Sequence, residues 1–233
     1  MALTDLARAT GLPHGTVHRV LRKLIGERMA WQKAATRRYT LGALAFELGL
    51  AASAQFDIRP IFHPVLVRLA ERVDDTVYLI GRSGFEAVCL DRLEGKAPIR
   101  VLEIDIGSRR PLGLGAGGLA ILSVLSDEEI TEVLGRVALD PGFLPNRVAD
   151  VWAAVADARK RGHAFVHDRV TRGVSAVGVA VLNSLGTPVA SITVAAIHER
   201  MKPARIKSLA LELKRASSEV EDQLVRAPAM DRS

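Results

Sequence analysis

The sequence predicts an α+β protein: a small, basic helix-turn-helix with a pair of short strands, a connecting helix, and a larger domain in which a mixed antiparallel sheet is flanked by helices. Three observations predict it. Positive charge is gathered at one end of the chain, apolar residues keep a helical spacing on either side of a short two-stranded wing, and from Thr76 that period gives way to strands alternating with helices. At 233 residues the chain is long enough for one sizeable core and a smaller attached module.

The formal net charge of +6 is not spread evenly. Through Thr40 the basic residues are Arg8, Arg19, Arg22, Lys23, Arg28, Lys33, Arg37 and Arg38, against only Asp5 and Glu27, and this accounts for the whole excess. A positive segment on a neutral body points to a polyanionic partner, although a solvated surface can be basic without one.

The stretch LTDLARATGLPHGTVHRVL reads as a helix, a tight turn and a second helix. Thr4 is placed to cap the first helix, and Ala7 is small where the two helices would cross. Gly11 supplies the positive φ of the turn, and Pro13 sits where a helix can start without an N–H. In the second helix Val17, Leu21, Leu24 and Ile25 recur at helical spacing and are expected to face a core. His14, Thr16, His18, Arg19, Arg22 and Lys23 then occupy the other faces, with Gly15 costing about 1 kcal/mol relative to Ala. The strands MAWQK and RRYTLG, joined near AAT, form a wing carrying Lys33, Arg37 and Arg38. Double-stranded DNA fits this set: His14, Thr16, His18 and Arg19 for base edges, Arg22, Lys23, Lys33, Arg37 and Arg38 for phosphates. An amphipathic helix pair also occurs in plain helical bundles, and the basic wing favours the DNA reading.

Residues 1–41 are therefore expected to form the winged module, 42–56 a linker helix, and 57–233 a ligand-binding domain. In LGALAFELGLAASAQFD, Leu44, Leu48 and Ala51 are helically spaced, and Gly49, Ala51, Ala52 and Ala54 allow close helix approach. The segment reads as a dimer contact or as an ordinary core helix. IRPIFHPVLVRLAERVDD continues helically. TVYLIGRSGFEAVCLDRLEG gives two strands around Ser83 and Gly84, IRVLEIDIG a third, and the stretch from His163 to Ile197 at least two more, the last pair joined at NSLGTP. Helices fit GGLAILSVL, SDEEITEVLGRV, VADVWAAVADARKRG and the long PARIKSLALELKRASSEVEDQLVRA. Ser126 with Glu129 makes a capping box, Gly162 is a helix stop, and the charged tail after Ala227 is expected to be disordered.

Chemical motifs are sparse. Cys89 is the single cysteine, so no internal disulfide forms, and no Cys/His spacing resembles a metal site. No apolar run reaches the roughly 20 residues of a spanning helix, and no export signal is evident, so a cytoplasmic protein is expected. GLGAGG, Gly113 to Gly118, could bring backbone N–H groups to an anion, but SRRP precedes it where a dinucleotide fold needs an apolar strand, so no nucleotide cofactor is expected. His163 and His167 are four apart on a strand and would not converge on a metal, and Asp168 beside His167 is a candidate acid–base pair or a polar edge. No serine lies in a nucleophile elbow. The chain is not expected to be an enzyme.

The segments LTDLARATGLPHGTVHRVLRKL, RRYTLG, DIGSRRPLGLGAGGLAIL and GVSAVGVAVLNSLGTPVASITV, in this order, resemble the IclR family of bacterial transcriptional regulators over nearly the whole chain. The resemblance implies a winged helix-turn-helix, a linker helix and a GAF/PAS-like effector domain, in homodimers or homotetramers that bind operator DNA and a small organic acid without catalysis. It places Arg109, Gly115, Ala116, Gly117, Ala176, Thr193 and Ala195 at the effector pocket. Where members carry His, Thr or Ser, and Lys around the glycine loop, this chain has Gly113, Gly115 and Leu119. Ala176 stands for a common Cys, and Thr193 and Ala195 for a Ser pair. Polar groups have become small and apolar, which implies a larger, more apolar effector such as an aromatic acid, with Arg109 or Arg110 near its carboxylate. The family pattern also places a helix before Thr4 that is absent here. Without it Leu6, Val17, Leu21 and Leu24 lose a partner at roughly 1.5 to 3 kcal/mol each. The expectation is that Met1 is not the true start, the alternatives being a crippled module or one completed by another chain. Rival functions are an oligomeric sensor that no longer binds DNA and a small-molecule enzyme on a GAF-like pocket.

Overall fold

Helix α1 (Leu3–Thr10) begins earlier than a Thr4 cap would allow: Ala2 holds the N-cap position, and its N–H donates to Asp5 Oδ2 at 3.0 Å. The computed structural model describes residues 1–139 and 147–226, and it divides into two units, Met1–Asp57 and a second beginning at Ile58. The charged tail after Ala227 lies outside the described residues.

In the first unit Gly11 closes α1 at φ 67°, and α2 (His14–Gly26) follows directly after Pro13. Strands β1 (Ala30–Gln32) and β2 (Tyr39–Leu41) pair antiparallel, and α3 (Ala43–Phe56) follows. The core is small: Ala7, Val17, Leu21 and Tyr39, with Leu3, Leu6 and Ile25 packed against them. Leu24, expected inside, is 38% exposed, and its neighbour Val20 is 45% exposed. The buried stripe of α2 is thus narrower than its apolar spacing, because none of these core side chains covers the flank that carries Val20 and Leu24.

The second unit is a six-stranded antiparallel sheet between two helical layers. Its strands are β3 (Thr76–Ser83), β4 (Glu86–Leu93), β5 (Arg109–Pro111), β6 (Ala164–His167), β7 (Val174–Leu182) and β8 (Pro188–Ile197), in the order β5-β4-β3-β8-β7-β6. Helices α4 (Arg59–Val73) and α8 (Pro203–Arg226) pack on one face. Helices α5 (Ala116–Ser123), α6 (Asp127–Val137) and α7 (Arg147–Arg161) share a core with the other, through Tyr78, Ile80 and Ala195. Ser126 Oγ accepts from Glu129 N–H at 3.2 Å, and Gly162 ends α7 at φ 67°. Asp75, 1% exposed at the start of β3, accepts from Arg200 Nε at 2.7 Å and Arg205 Nη2 at 2.8 Å, tying the sheet to α8.

IRVLEIDIG is not a strand. Its burial does not alternate, since Val101 is buried while Ile99, Leu102 and Ile106 are all exposed, and its carbonyls are taken by side chains rather than by a neighbouring strand. Tyr78 Oη donates to Val101 O at 2.6 Å, Arg92 Nη1 to Ile104 O at 3.1 Å, and Arg110 Nη2 to Glu103 O at 3.2 Å. The strand that borders β4 is instead the short β5.

Candidate functional sites

On the first unit, α2 exposes His14, His18, Arg19, Arg22 and Lys23, with Thr16 half-buried, and the β1–β2 turn exposes Lys33, Arg37 and Arg38. The turn has a defined backbone: Arg37 N–H donates to Lys33 O at 2.8 Å and Lys33 N–H to Arg38 O at 2.9 Å. Gln32 Nε2 donates to Arg37 O at 3.0 Å, and Arg37 sits at φ 55°, a region few side chains occupy. Among the described residues none of these cations is paired with a carboxylate, whereas Arg28 of the same unit is paired with Glu47. Their charge is therefore available to a polyanion.

Strand register builds the second site. Tyr78 faces Thr193 across β3 and β8, Thr193 faces Gly178 across β8 and β7, Ala195 faces Ala176, and Ala176 faces Val166. Residues directly opposite in an antiparallel pair project to the same side. These side chains, Gly178 apart, line one cavity of about 80 Å³, together with the α5 start (Gly115 to Gly118), Cys89, Glu103, Ser108, Arg110, Val170 and Thr171. The predicted Gly115, Ala116, Gly117, Ala176, Thr193 and Ala195 are thus brought together.

Arg109 is not. β5 pairs with β4 so that Arg110 lies opposite Ala87, a cavity residue, while Arg109 lies opposite Val88 and faces away. Its guanidinium binds Glu86 at 2.8 Å and Ser83 Oγ at 2.8 Å. Arg110, half-exposed, lines the cavity in its place.

The glycines serve close packing of α5 on the sheet. A Cβ at Gly178 would lie 2.8 Å from Ala116 O and 3.0 Å from Thr193 Oγ1. The first N–H groups of a helix have no intrahelical acceptor, and no side chain caps α5. Thr193 Oγ1, buried with no hydrogen-bond partner, lies close to Gly178, against which Ala116 packs. An anion would satisfy both. Burial pushes the Tyr78 hydroxyl up to about 12 and the Cys89 thiol up to about 11, so both stay protonated near neutral pH.

The β6–β7 connection closes over this cavity. Gly173 N–H donates to Asp168 Oδ1 at 2.7 Å, and Arg169 reaches Gly113 O at 3.4 Å and Asp150 O at 3.3 Å, which holds Val170 and Thr171 at the lining. Next to it His167 Nδ1 is 3.0 Å from Ser175 Oγ and Nε2 is 3.4 Å from Asp168 Oδ2. The His167 and His198 rings are 4.3 Å apart. Ser175 is 1% exposed and projects away from the cavity that Val174 and Ala176 line, so its hydroxyl does not face a ligand there. His163 lies before β6, where burial lowers its pKa.

Sequence reasoning missed several lining residues, among them Tyr78, Cys89, Ser108 and Thr171, and the one acidic residue it missed is Glu103. Its Oε1 is buried without a hydrogen-bond partner, and Arg110 Nη1 is 3.8 Å from Oε2. Among the described residues no group of three or more His, Cys, Asp or Glu could hold a metal, and no helix is long and apolar enough to cross a membrane.

Residues 50–222 match the family model of the C-terminal domain of the bacterial transcriptional regulator IclR, and residues 1–34 match that of the IclR helix-turn-helix domain. The chain is 30% identical over 230 residues to the HTH-type transcriptional regulator KipR of Bacillus subtilis, covering 94% of this chain and 88% of that protein. Its fold resembles the crystal structure of Thermotoga maritima IclR, with a TM-score of 0.68 and 26% identity over 96% of this chain and 91% of that one. It also resembles an IclR homolog from Microbacterium hydrocarbonoxydans complexed with 4-hydroxybenzoate, with a TM-score of 0.74 and 20% identity over 97% and 92%.

Proposed function

Because the chain belongs to the IclR family of bacterial transcriptional regulators, we propose that it is a ligand-responsive regulator that binds operator DNA through α2 and the wing and a small organic acid in the cavity of the second unit. The observation that carries the DNA half is the set of exposed cations on α2 and the β1–β2 turn, none paired with a carboxylate among the described residues. His14, Thr16, His18 and Arg19 read base edges, while Arg22, Lys23, Lys33, Arg37 and Arg38 hold phosphates.

In the second unit the acid's carboxylate sits at the α5 start, against the N–H groups of Ala116 and Gly117 and the Thr193 hydroxyl. Ala176, Ala195, Val166 and Ile80 offer its body an apolar wall. The relative complexed with 4-hydroxybenzoate supports an aromatic acid. At about 80 Å³ the cavity is far larger than one water but about half an engineered cavity that takes benzene. An aromatic ring therefore enters with a shift of the Asp168–Gly173 connection. Helix α3 pairs two copies: Phe46 is 67% exposed, Leu48 and the small residues Gly49, Ala51 and Ala52 are exposed too, and water is a poor solvent for such a surface. Ligand occupancy acts through α3 on the spacing of two DNA units.

Fluorescence anisotropy with a labelled duplex from the intergenic region upstream of the gene tests the DNA reading. Arg19→Ala is expected to cost about 1–3 kcal/mol on that duplex and to narrow its margin over a scrambled one, whereas Lys33→Ala weakens both alike. Binding that is indifferent to both substitutions would contradict the assignment, and no binding by the unaltered chain to either duplex would favour an oligomeric sensor that does not bind DNA.

A further inference from the structure

The cavity has two polar stations, and the order of strands separates them. The α5 start packs on Gly178 and beside Thr193, in β7 and β8. Glu103 is held from the other side of the sheet's order: Arg110 of β5 donates to its carbonyl at 3.2 Å, and Tyr78 of β3 donates to Val101 O at 2.6 Å two residues before it. With neighbouring strands about 4.8 Å apart, a ligand of several atoms can touch both.

The two stations differ in chemistry. The α5 start donates hydrogen bonds. A carboxylate such as that of Glu103 accepts them and, when ionised, cannot donate. Its Oε1 is buried and has no partner within the chain, and Arg110 Nη1, at 3.8 Å from Oε2, is too far to be a hydrogen-bond donor to it. A buried acceptor without a donor is costly, and Glu103 also repels a second carboxylate brought close to it. The acid group of a ligand is therefore steered to the α5 start, and the group reaching Glu103 must carry a proton to share.

We propose that Glu103 selects for a hydrogen-bond donor on the ligand, so that the cavity takes acids bearing a hydroxyl or amino group remote from the carboxylate and discriminates against acids that lack one. This rests on the reading of the cavity as an acid-binding site. Charge-assisted hydrogen bonds of this kind are worth about tenfold or more in affinity.

Titration calorimetry on the full chain decides it, with benzoate, 3- and 4-hydroxybenzoate and the corresponding methoxybenzoates, which can accept but not donate. One hydroxybenzoate is expected to bind at least about tenfold more tightly than benzoate and than its own methoxy counterpart. Glu103→Gln, which keeps the shape and one carbonyl acceptor, reduces that ratio. Glu103→Met abolishes it. If benzoate, hydroxy and methoxy forms bind alike, or if the ratio survives in Glu103→Met, Glu103 does not select a donor, and the acid-binding reading stands without this inference. If none of the acids binds, that reading itself fails and takes the inference with it.

Discussion

Gly117 has no room for a side chain: a Cβ there would lie 2.7 Å from Ile80 Cγ1 and 3.0 Å from Ser191 Oγ. Ile80 is branched at Cβ and stands in a central strand, so it has little freedom to retreat. Gly117→Ala is expected to destabilise the second unit by about 1–3 kcal/mol despite alanine's better helix propensity. The check is a lower urea midpoint followed at Trp152, which packs against that unit's core. A midpoint unchanged or raised would contradict the close approach. The glycines at 113–118 were legible as a backbone approach but not as a helix-to-sheet contact, since that needs Ile80, Gly178 and Ser191 from distant strands. Which arginine faces the cavity was not legible either. β5 has three residues, too few for a periodicity, and the choice between Arg109 and Arg110 is made by their register with Val88 and Ala87. Glu103 was missed because an acidic residue in an alternating apolar run reads as the solvent side of a strand, and that segment is not a strand.

At the scale of elements, the helices and long hairpins were legible because each carries its own period and its own stop. Ser126 and Gly162 mark real helix ends, and Gly84 and Gly186, at φ 61° and 76°, sit in the turns where β3 meets β4 and β7 meets β8. The failures were IRVLEIDIG, whose alternation was mistaken for pairing, and Leu24, whose spacing was mistaken for burial. In both cases a local pattern was satisfied by side-chain partners or by solvent rather than by the expected neighbour. The wing offers a direct test of its proposed role. Trp31 lies on β1, is 64% exposed, and is one of two tryptophans in the chain. In a Trp152→Phe variant its emission is expected to shift to the blue and change in intensity on addition of the upstream duplex, as the wing meets a groove wall. An emission spectrum unmoved at saturating duplex would place the wing away from DNA.

For the whole molecule, charge and cavity are divided between two units. The first carries the entire net positive charge in its first forty residues and has a core of only a few side chains. The second, from Ile58 on, is nearly neutral and holds a largely apolar cavity that Thr193, Glu103 and Arg110 also line. That segregation was legible from the order of residues alone, since it needs only a count of charges and a change of period. The regulator proposed here requires the first unit to bind DNA by releasing counterions and to prefer its own site. The most direct measurement is the affinity of the full chain for the upstream intergenic duplex and for a scrambled duplex, each at 50 and 200 mM salt. With about ten phosphate contacts from a dimer, affinity is expected to fall by roughly a thousandfold or more between the two salts, with the upstream duplex favoured throughout. Affinity that is insensitive to salt, or equal for the two duplexes, would contradict the account.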